Sequence, residues 1–121
     1  MGLDVSHGGW DFFVVKLNSS GVIQWQKNYG GTSDDVATSV TLGLDSGYVV
    51  SGYSFSNNGD VSGNHGGSDI WIVKMNILGQ TQWTRTIGGA SSETPVSYYY
   101  NTDGSFLIVS NTTSNNGDAF L

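Results

Sequence analysis

The sequence predicts an all-β fold made of four-stranded antiparallel meanders in tandem. Three observations carry that expectation. The chain repeats itself at a spacing of 58 residues, each period holds four short strand signals separated by turn residues, and no stretch has the spacing of an amphipathic helix. The repeat aligns most of the chain without gaps. Gly8-Gly9 falls on Gly66-Gly67, Asp11 on Asp69, Lys16 on Lys74, Gln24-Trp25 on Gln82-Trp83 and Gly30-Gly31 on Gly88-Gly89. Further on, Asp45 meets Asp103, Tyr48-Val49-Val50 meets Phe106-Leu107-Ile108, and Ser56 to Asp60 meets Ser114 to Asp118.

The strands follow in order. Asp11 to Leu17, Val22 to Tyr29 and Asp35 to Leu44 are the first three, and Gly47 to Ser54 and Asp69 to Asn76 the next two. Gln80 to Ile87, Glu93 to Asn101 and Ser105 to Thr112 complete the series. Segments such as FFVVKL and IWIVKM are apolar at every second position on both faces, the pattern of a sheet covered on both sides. Asn18-Ser19-Ser20-Gly21 and its copy Asn76-Ile77-Leu78-Gly79 read as tight hairpin turns in which glycine supplies the positive φ. Leu44 to Gly47 and Asn101 to Gly104 read as a second pair of turns. Pro95 lies inside a strand signal and marks an edge or a bulge there.

Composition agrees. The 121 residues suit one small domain, with 18 glycines, one proline and only 12% charged residues. Four basic against 10 acidic residues give a formal charge of −6, which argues against a nucleic-acid partner, since a phosphate-binding face needs clustered cations. There is no cysteine, so disulfides, thiolate metal sites and a cysteine nucleophile are excluded. No apolar run reaches the roughly 18 residues of a membrane-spanning helix. Met1 to Gly9 has neither the basic region nor the apolar core of a signal peptide.

A repeated four-stranded meander of about 50 residues, with sheets covered on both faces, is the pattern of a β-propeller. The chain resembles the propeller-type repeats of bacterial secreted and surface proteins common in Bacteroidetes. Gly47-Tyr48, Ser56 to Asp60, His65 to Lys74, Gln24 to Lys27 and Asp34-Asp35 carry the resemblance. The strand order also resembles kelch blades, with a YVVGG-like strand innermost. The resemblance implies a secreted or cell-surface location. The copies differ in places: Asp34-Asp35 becomes Ser92-Glu93, Gly52 becomes Ser110, and Val40-Thr41-Leu42 becomes Tyr98-Tyr99-Tyr100.

With Gly47 to Ser54 as the innermost strand, residues 1–46 supply three strands of a first blade. Residues 47–104 form a complete second blade, and 105–121 supply the strand that the first blade lacks. Two blades cannot close a ring, since propellers have roughly four to eight. An open pair would expose two apolar faces and two strand edges. The expected partner is therefore the chain itself, in a head-to-tail ring that closes by rotation and strand exchange, as a six-bladed homotrimer or an eight-bladed homotetramer.

The expected binding face lies on the longer loops, Phe55 to Ser68 and Gly30 to Asp34, because binding residues sit on loops held by a rigid scaffold. His7, Trp10, Asp34, Asp35, Asn57, Asn58, Asp60 and His65 are the candidates there. Trp10 has no aromatic copy (position 68 is Ser) and suits stacking on a glycan, or packing under its own loop. Asn57, Asp60 and Ser62 are hard oxygen donors at short spacing, suited to Ca²⁺ or to Asx-turns that bond their own backbone. His7 and His65 suit metal binding or proton transfer, or a bond to a loop carbonyl. Asp11 and Asp69 open a strand and fit side-chain bonds to the glycine turn before it. No cofactor is expected beyond Ca²⁺. No Ser-His-Asp spacing, phosphate loop or paired-carboxylate motif stands out, and Glu93 is the one glutamate. The expected function is non-enzymatic, a scaffold or recognition module for a glycan or surface ligand. The alternatives are a glycan-processing propeller enzyme with sites across interfaces, and a propeller fragment without independent function.

Overall fold

A computed structural model describes residues 7–113. Among them are eight strands and no helix. They are β1 (Phe12–Leu17), β2 (Ile23–Tyr29), β3 (Asp35–Leu42), β4 (Tyr48–Ser54), β5 (Asp69–Met75), β6 (Thr81–Ile87), β7 (Glu93–Tyr100) and β8 (Phe106–Thr112). Each begins and ends within two residues of its expected place. All pairing is antiparallel, in sheets ordered β1-β2, β3-β4-β5-β6 and β7-β8.

The tight turns form as their residues dictate. Asn18 Oδ1 accepts from the amides of Ser20 and Val22 at 2.9 and 3.0 Å, and Asn76 Oδ1 does the same for Leu78 and Gln80. Gly21 and Gly79 then turn at φ near +80°. In the third turn Gly104 carries φ +88°, but at its equivalent the left-handed residue is Ser46, at φ +66°. Pro95 sits at a register break between β7 and β8, and Ala37, its equivalent, sits at the same break between β3 and β4.

The grouping of strands differs from the sequence expectation. The expected complete meander, residues 47–104, would join β4 to β7. Instead the four-stranded sheet takes β3, and β7 pairs with β8. The turn from β3 to β4 is closed by a Gly43 amide to Gly47 carbonyl bond of 2.7 Å, which holds the two strands as a hairpin. The links into β3 and β7 instead cross from one sheet to the next. Residues 105–112 are thus tied to β7 of their own chain. The segments 1–6 and 114–121, including the copy of Asn57 to Asp60, lie outside the described residues.

The three sheets are stacked, with the four-stranded one between the others. β4 and β5 point alternate residues to opposite sides. Val50, Trp71, Val73 and Met75 pack with Phe12 and Tyr29 of the first sheet. Val49, Ile70 and Ile72 pack with Tyr100, Phe106 and Ile108 of the third. Trp71 is the largest fully buried side chain, with its ring centroid 4.6 Å from that of Phe12. At the rim, Trp25 lies over the Gly79 turn and donates its indole N–H to the Ile77 carbonyl at 2.9 Å.

Coverage is unequal. β5 is buried along its whole length, as its continuous apolar run requires. Its repeat copy β1 alternates between covered and open residues. Among the described residues β1 pairs only with β2, and β8 only with β7.

Candidate functional site

The candidate residues gather where strands begin and end, on the side of the stack that carries the longer loops. Asp35 is fully buried at the start of β3. Its carboxylate accepts from the Ser54 hydroxyl, from Ser56 Oγ at 3.0 Å and from the Gly31 amide at 2.8 Å. Glu93, its equivalent, accepts from Thr112 Oγ1 at 2.6 Å and from the Gly89 amide at 3.0 Å. One position earlier, Asp34 Oδ1 accepts the Trp10 amide at 3.0 Å, and Ser92 Oγ accepts the Ser68 amide at 3.2 Å. The change from Asp-Asp to Ser-Glu therefore preserves both bonding roles.

The long loop is tied to its neighbour in the same way. Asn58 Oδ1 accepts the Thr32 amide at 2.8 Å, and Asp60 Oδ2 accepts the Gly30 amide at 3.0 Å. Asn57 Oδ1 accepts the Asn64 amide at 3.1 Å, while Ser62 presents its carbonyl to Thr86 Oγ1 at 2.7 Å. Asn57 and Asp60 thus each accept a loop amide and Ser62 accepts a hydroxyl of β6 through its carbonyl, over 7, 30 and 24 residues, rather than across the short span of an Asx-turn. Among the described residues no group of three or more His, Cys, Asp and Glu side chains is placed to hold a metal ion.

His65 Nδ1 lies 2.7 Å from Asp69 Oδ2, which also accepts the His65 amide at 2.9 Å. The His65 ring thus has a carboxylate partner in Asp69. His7 repeats the arrangement more loosely. Its amide donates to Asp11 Oδ2 at 2.6 Å, and its ring lies 3.6 Å from Asp11 and 4.0 Å from Asp60. Asp11 and Asp69 do brace the turn before them, through the amides of His7 and His65.

Sequence reasoning missed a paired carboxylate. A Cβ placed on Gly88 would lie 2.4 Å from both Asp69 Oδ1 and Glu93 Oε2. At Gly30 the same point lies 2.5 Å from Asp11 Oδ1 and from Asp35 Oδ2. Each repeat therefore holds two acids against one glycine. Asp11 Oδ1 and Asp69 Oδ1 are buried without a hydrogen-bond partner. Burial pushes the Asp69 carboxyl above its usual range, against the pull of the His65 bonds, and the Glu93 charge adds to the rise. The signal available in the sequence was the recurrence of an acid at the first residue of β5 and β7 and at their copies.

Of the eight candidates, the structure gathers Trp10, Asp34, Asp35, Asn57, Asn58, Asp60 and His7 around Gly30 to Thr32. His65 belongs to the equivalent corner around Gly88 to Ser92, where Gly66 and Gly67 approach Ala90 and Ser92 as Gly8 and Gly9 approach Thr32 and Asp34. Trp10 is a large aromatic residue left open to solvent, 70% accessible. It does not pack under its own loop.

Two clefts flank the stack. The larger, about 680 Å³, lies between β1 and the uncovered half of the four-stranded sheet; Phe13, Val15, Val40, Leu42, Tyr48 and Val50 are among its walls. The smaller, about 220 Å³, lies on the opposite side and is lined by Ile70, Ile87, Gly88, Glu93, Ile108, Ser110 and Thr112. No family model, curated protein or solved structure matches the chain.

Proposed function

We propose that this chain is a non-enzymatic building unit of a β-propeller, a self-assembling scaffold whose loop face serves recognition. One observation carries the reading: residues related by the repeat differ sharply in exposure. Trp71, Val73 and Met75 are fully buried by the neighbouring sheet, whereas their copies Phe13, Val15 and Leu17 are 54%, 38% and 50% exposed. Leu107, the copy of the buried Val49, is 60% exposed. Side chains selected for a sheet-to-sheet contact thus lack their cover at both ends of the stack. Exposed apolar surface of this kind marks an interaction site. A further sheet stacked at each end covers it, and copies of this chain supply such sheets.

Two units per chain give rings of even blade number, a homotrimer of six or a homotetramer of eight. Light scattering tests the reading, with an integral multiple of the chain mass expected. Removing residues 105–121 should abolish the assembly; soluble rings of unchanged mass after that truncation would refute it.

The exposed Trp10, whose backbone amide is held by Asp34, supports a glycan or similar surface ligand on the loop face. Screening on a glycan array with wild type and Trp10→Ala tests this, with binding expected only for wild type. Turnover of a bound glycan would move the protein to the enzyme class instead.

A further inference from the structure

We infer that the joint between copies is an antiparallel pairing of β8 of one chain with β1 of the next, in a single register, by which each chain fills a cleft of the other. The inference rests on the self-assembly reading and adds to it the edge, the register and the occupants of both clefts.

The register follows from a pairing already present. β8 is the copy of β4, and β1 is the copy of β5. β4 and β5 pair from Tyr48↔Met75 to Ser54↔Asp69. Shifted by the repeat, this pairs Phe106 with Leu17, Leu107 with Lys16, Ser110 with Phe13 and Thr112 with Asp11. β1 and β8 have no such partner among the described residues.

Charge supports the match. Lys74 is buried on β5, with Nζ 3.0 Å from both oxygens of Asp45 and 2.6 Å from Gln82 Oε1. Its copy Lys16 already holds the copy of the glutamine, with Nζ 2.7 Å from Gln24 Oε1. The copy of Asp45 is Asp103, in the turn before β8, with Oδ1 bonded to the Ser105 amide just as Asp45 Oδ1 is bonded to that of Gly47. The register brings Asp103 of one chain to Lys16 of the next and completes the triad.

Shape supports it as well. In the observed stack Val49, Ile70 and Ile72 pack with Tyr100, Phe106 and Ile108. The copies of Val49 and of those three are the exposed Leu107 on one side and Leu42, Tyr48 and Val50 on the other, and the last three wall the larger cleft. The β7-β8 hairpin of a second copy therefore occupies that cleft, with Leu107 against Leu42 and Tyr48. The smaller cleft is explained in the reverse direction. Trp71 packs on Phe12, whose copy Ile70 lines the smaller cleft, so Phe13 of the next chain, the copy of Trp71, occupies it. Two clefts, one free pair of edges and one incomplete ion pair are satisfied by one heterologous contact.

Cysteine pairing of the full chain tests the register. Lys16→Cys with Leu107→Cys places the two thiols directly opposite across the joint, within disulfide reach. Lys16→Cys with Val109→Cys puts them one pleat out of register. Under oxidation the first variant should give covalent multimers of defined size on a non-reducing gel, and the second should remain largely monomeric there. A second test keeps the core intact. Lys16→Glu and Asp103→Lys should each weaken assembly about tenfold, and combining the two changes in one chain should restore it, because every joint then joins opposite charges. Wild-type assemblies that persist while the in-register cysteines fail to cross-link, or cross-link no better than the control, would overturn this joint and leave self-assembly standing. A monomeric wild type by light scattering would overturn self-assembly itself.

Discussion

Lys74 Nζ lies 3.0 Å from both carboxylate oxygens of Asp45, at the point where the β3-β4 turn meets the end of β5. The lysine is buried and the aspartate lies at the surface. The pair thereby fixes the turn to the sheet. The hydrogen bond from Lys74 holds the Asp45 carboxyl below its ordinary value of 3.8, helped by the Gly47 amide. A lowered folded value means that this contribution to stability is present above pH 3.8 and lost as pH falls through the folded value. Asp45→Asn should therefore lower the melting temperature at neutral pH and leave it almost unchanged once the pH is below the folded value of Asp45. Thermal denaturation monitored across that range measures the difference.

Asp69 behaves in the opposite sense. Its folded value is raised, so its contribution is complete below pH 3.8 and is lost as pH rises through the folded value. Asn at this position removes the charge and turns an N–H toward Glu93. Asp69→Asn should be neutral or stabilising at pH 7, and the advantage should vanish below pH 3.8. Equilibrium unfolding at both pH values decides it.

Trp71 and Phe13 hold equivalent places in the repeat but not in the packing. Trp71→Ala should cost about 3–5 kcal/mol, the usual penalty for emptying a large aromatic site in a core. Phe13→Ala should cost the dilute single chain no more than about 1 kcal/mol, as for a surface residue. Urea unfolding at low protein concentration separates them.

Ser46 is the non-glycine residue at positive φ among those described, where its copy is Gly104. A left-handed conformation costs a side-chain-bearing residue about 1–2 kcal/mol. Ser46→Gly recovers part of this and loses part to the freer unfolded chain, for a net gain of up to about 1 kcal/mol. Gly104→Ala should destabilise by a similar amount. Melting temperatures of the two variants check the sign.

Much of this architecture could be read before any coordinates. The strands were legible because apolar runs such as IWIVKM are bounded by Asn- and Gly-centred turns, and both signals are local. The phase of the repeat was not legible. Gly43 to Gly47 and Gly88 to Ser92 are links of equal length, yet the first closes a hairpin and the second passes from one sheet to another. Which of them carries the cross-strand bond depends on strands distant in sequence. The candidate site was half legible for a related reason. Asp34, Asp35, Asn58 and Asp60 do lie together, but a carboxylate beside a Gly-Gly turn looks the same in sequence whether it awaits a ligand or braces a backbone amide. The acids facing each other at Gly88 come from different strands, and neither announces the other.

The indole of Trp25 donates to the Ile77 carbonyl and shelters against the Gly79 turn, whereas Trp83, its copy, is 37% exposed with the Arg85 guanidinium over its ring at 5.6 Å, and the space above Gly21, the copy of Gly79, is empty. Association of chains in the register derived above brings Trp83 over the Gly21 of the neighbour, with the Ser19 carbonyl as its acceptor. The molecule thus carries its own optical gauge of association: dilution should shift the emission of Trp83 to longer wavelength and open it to acrylamide quenching, with no label attached.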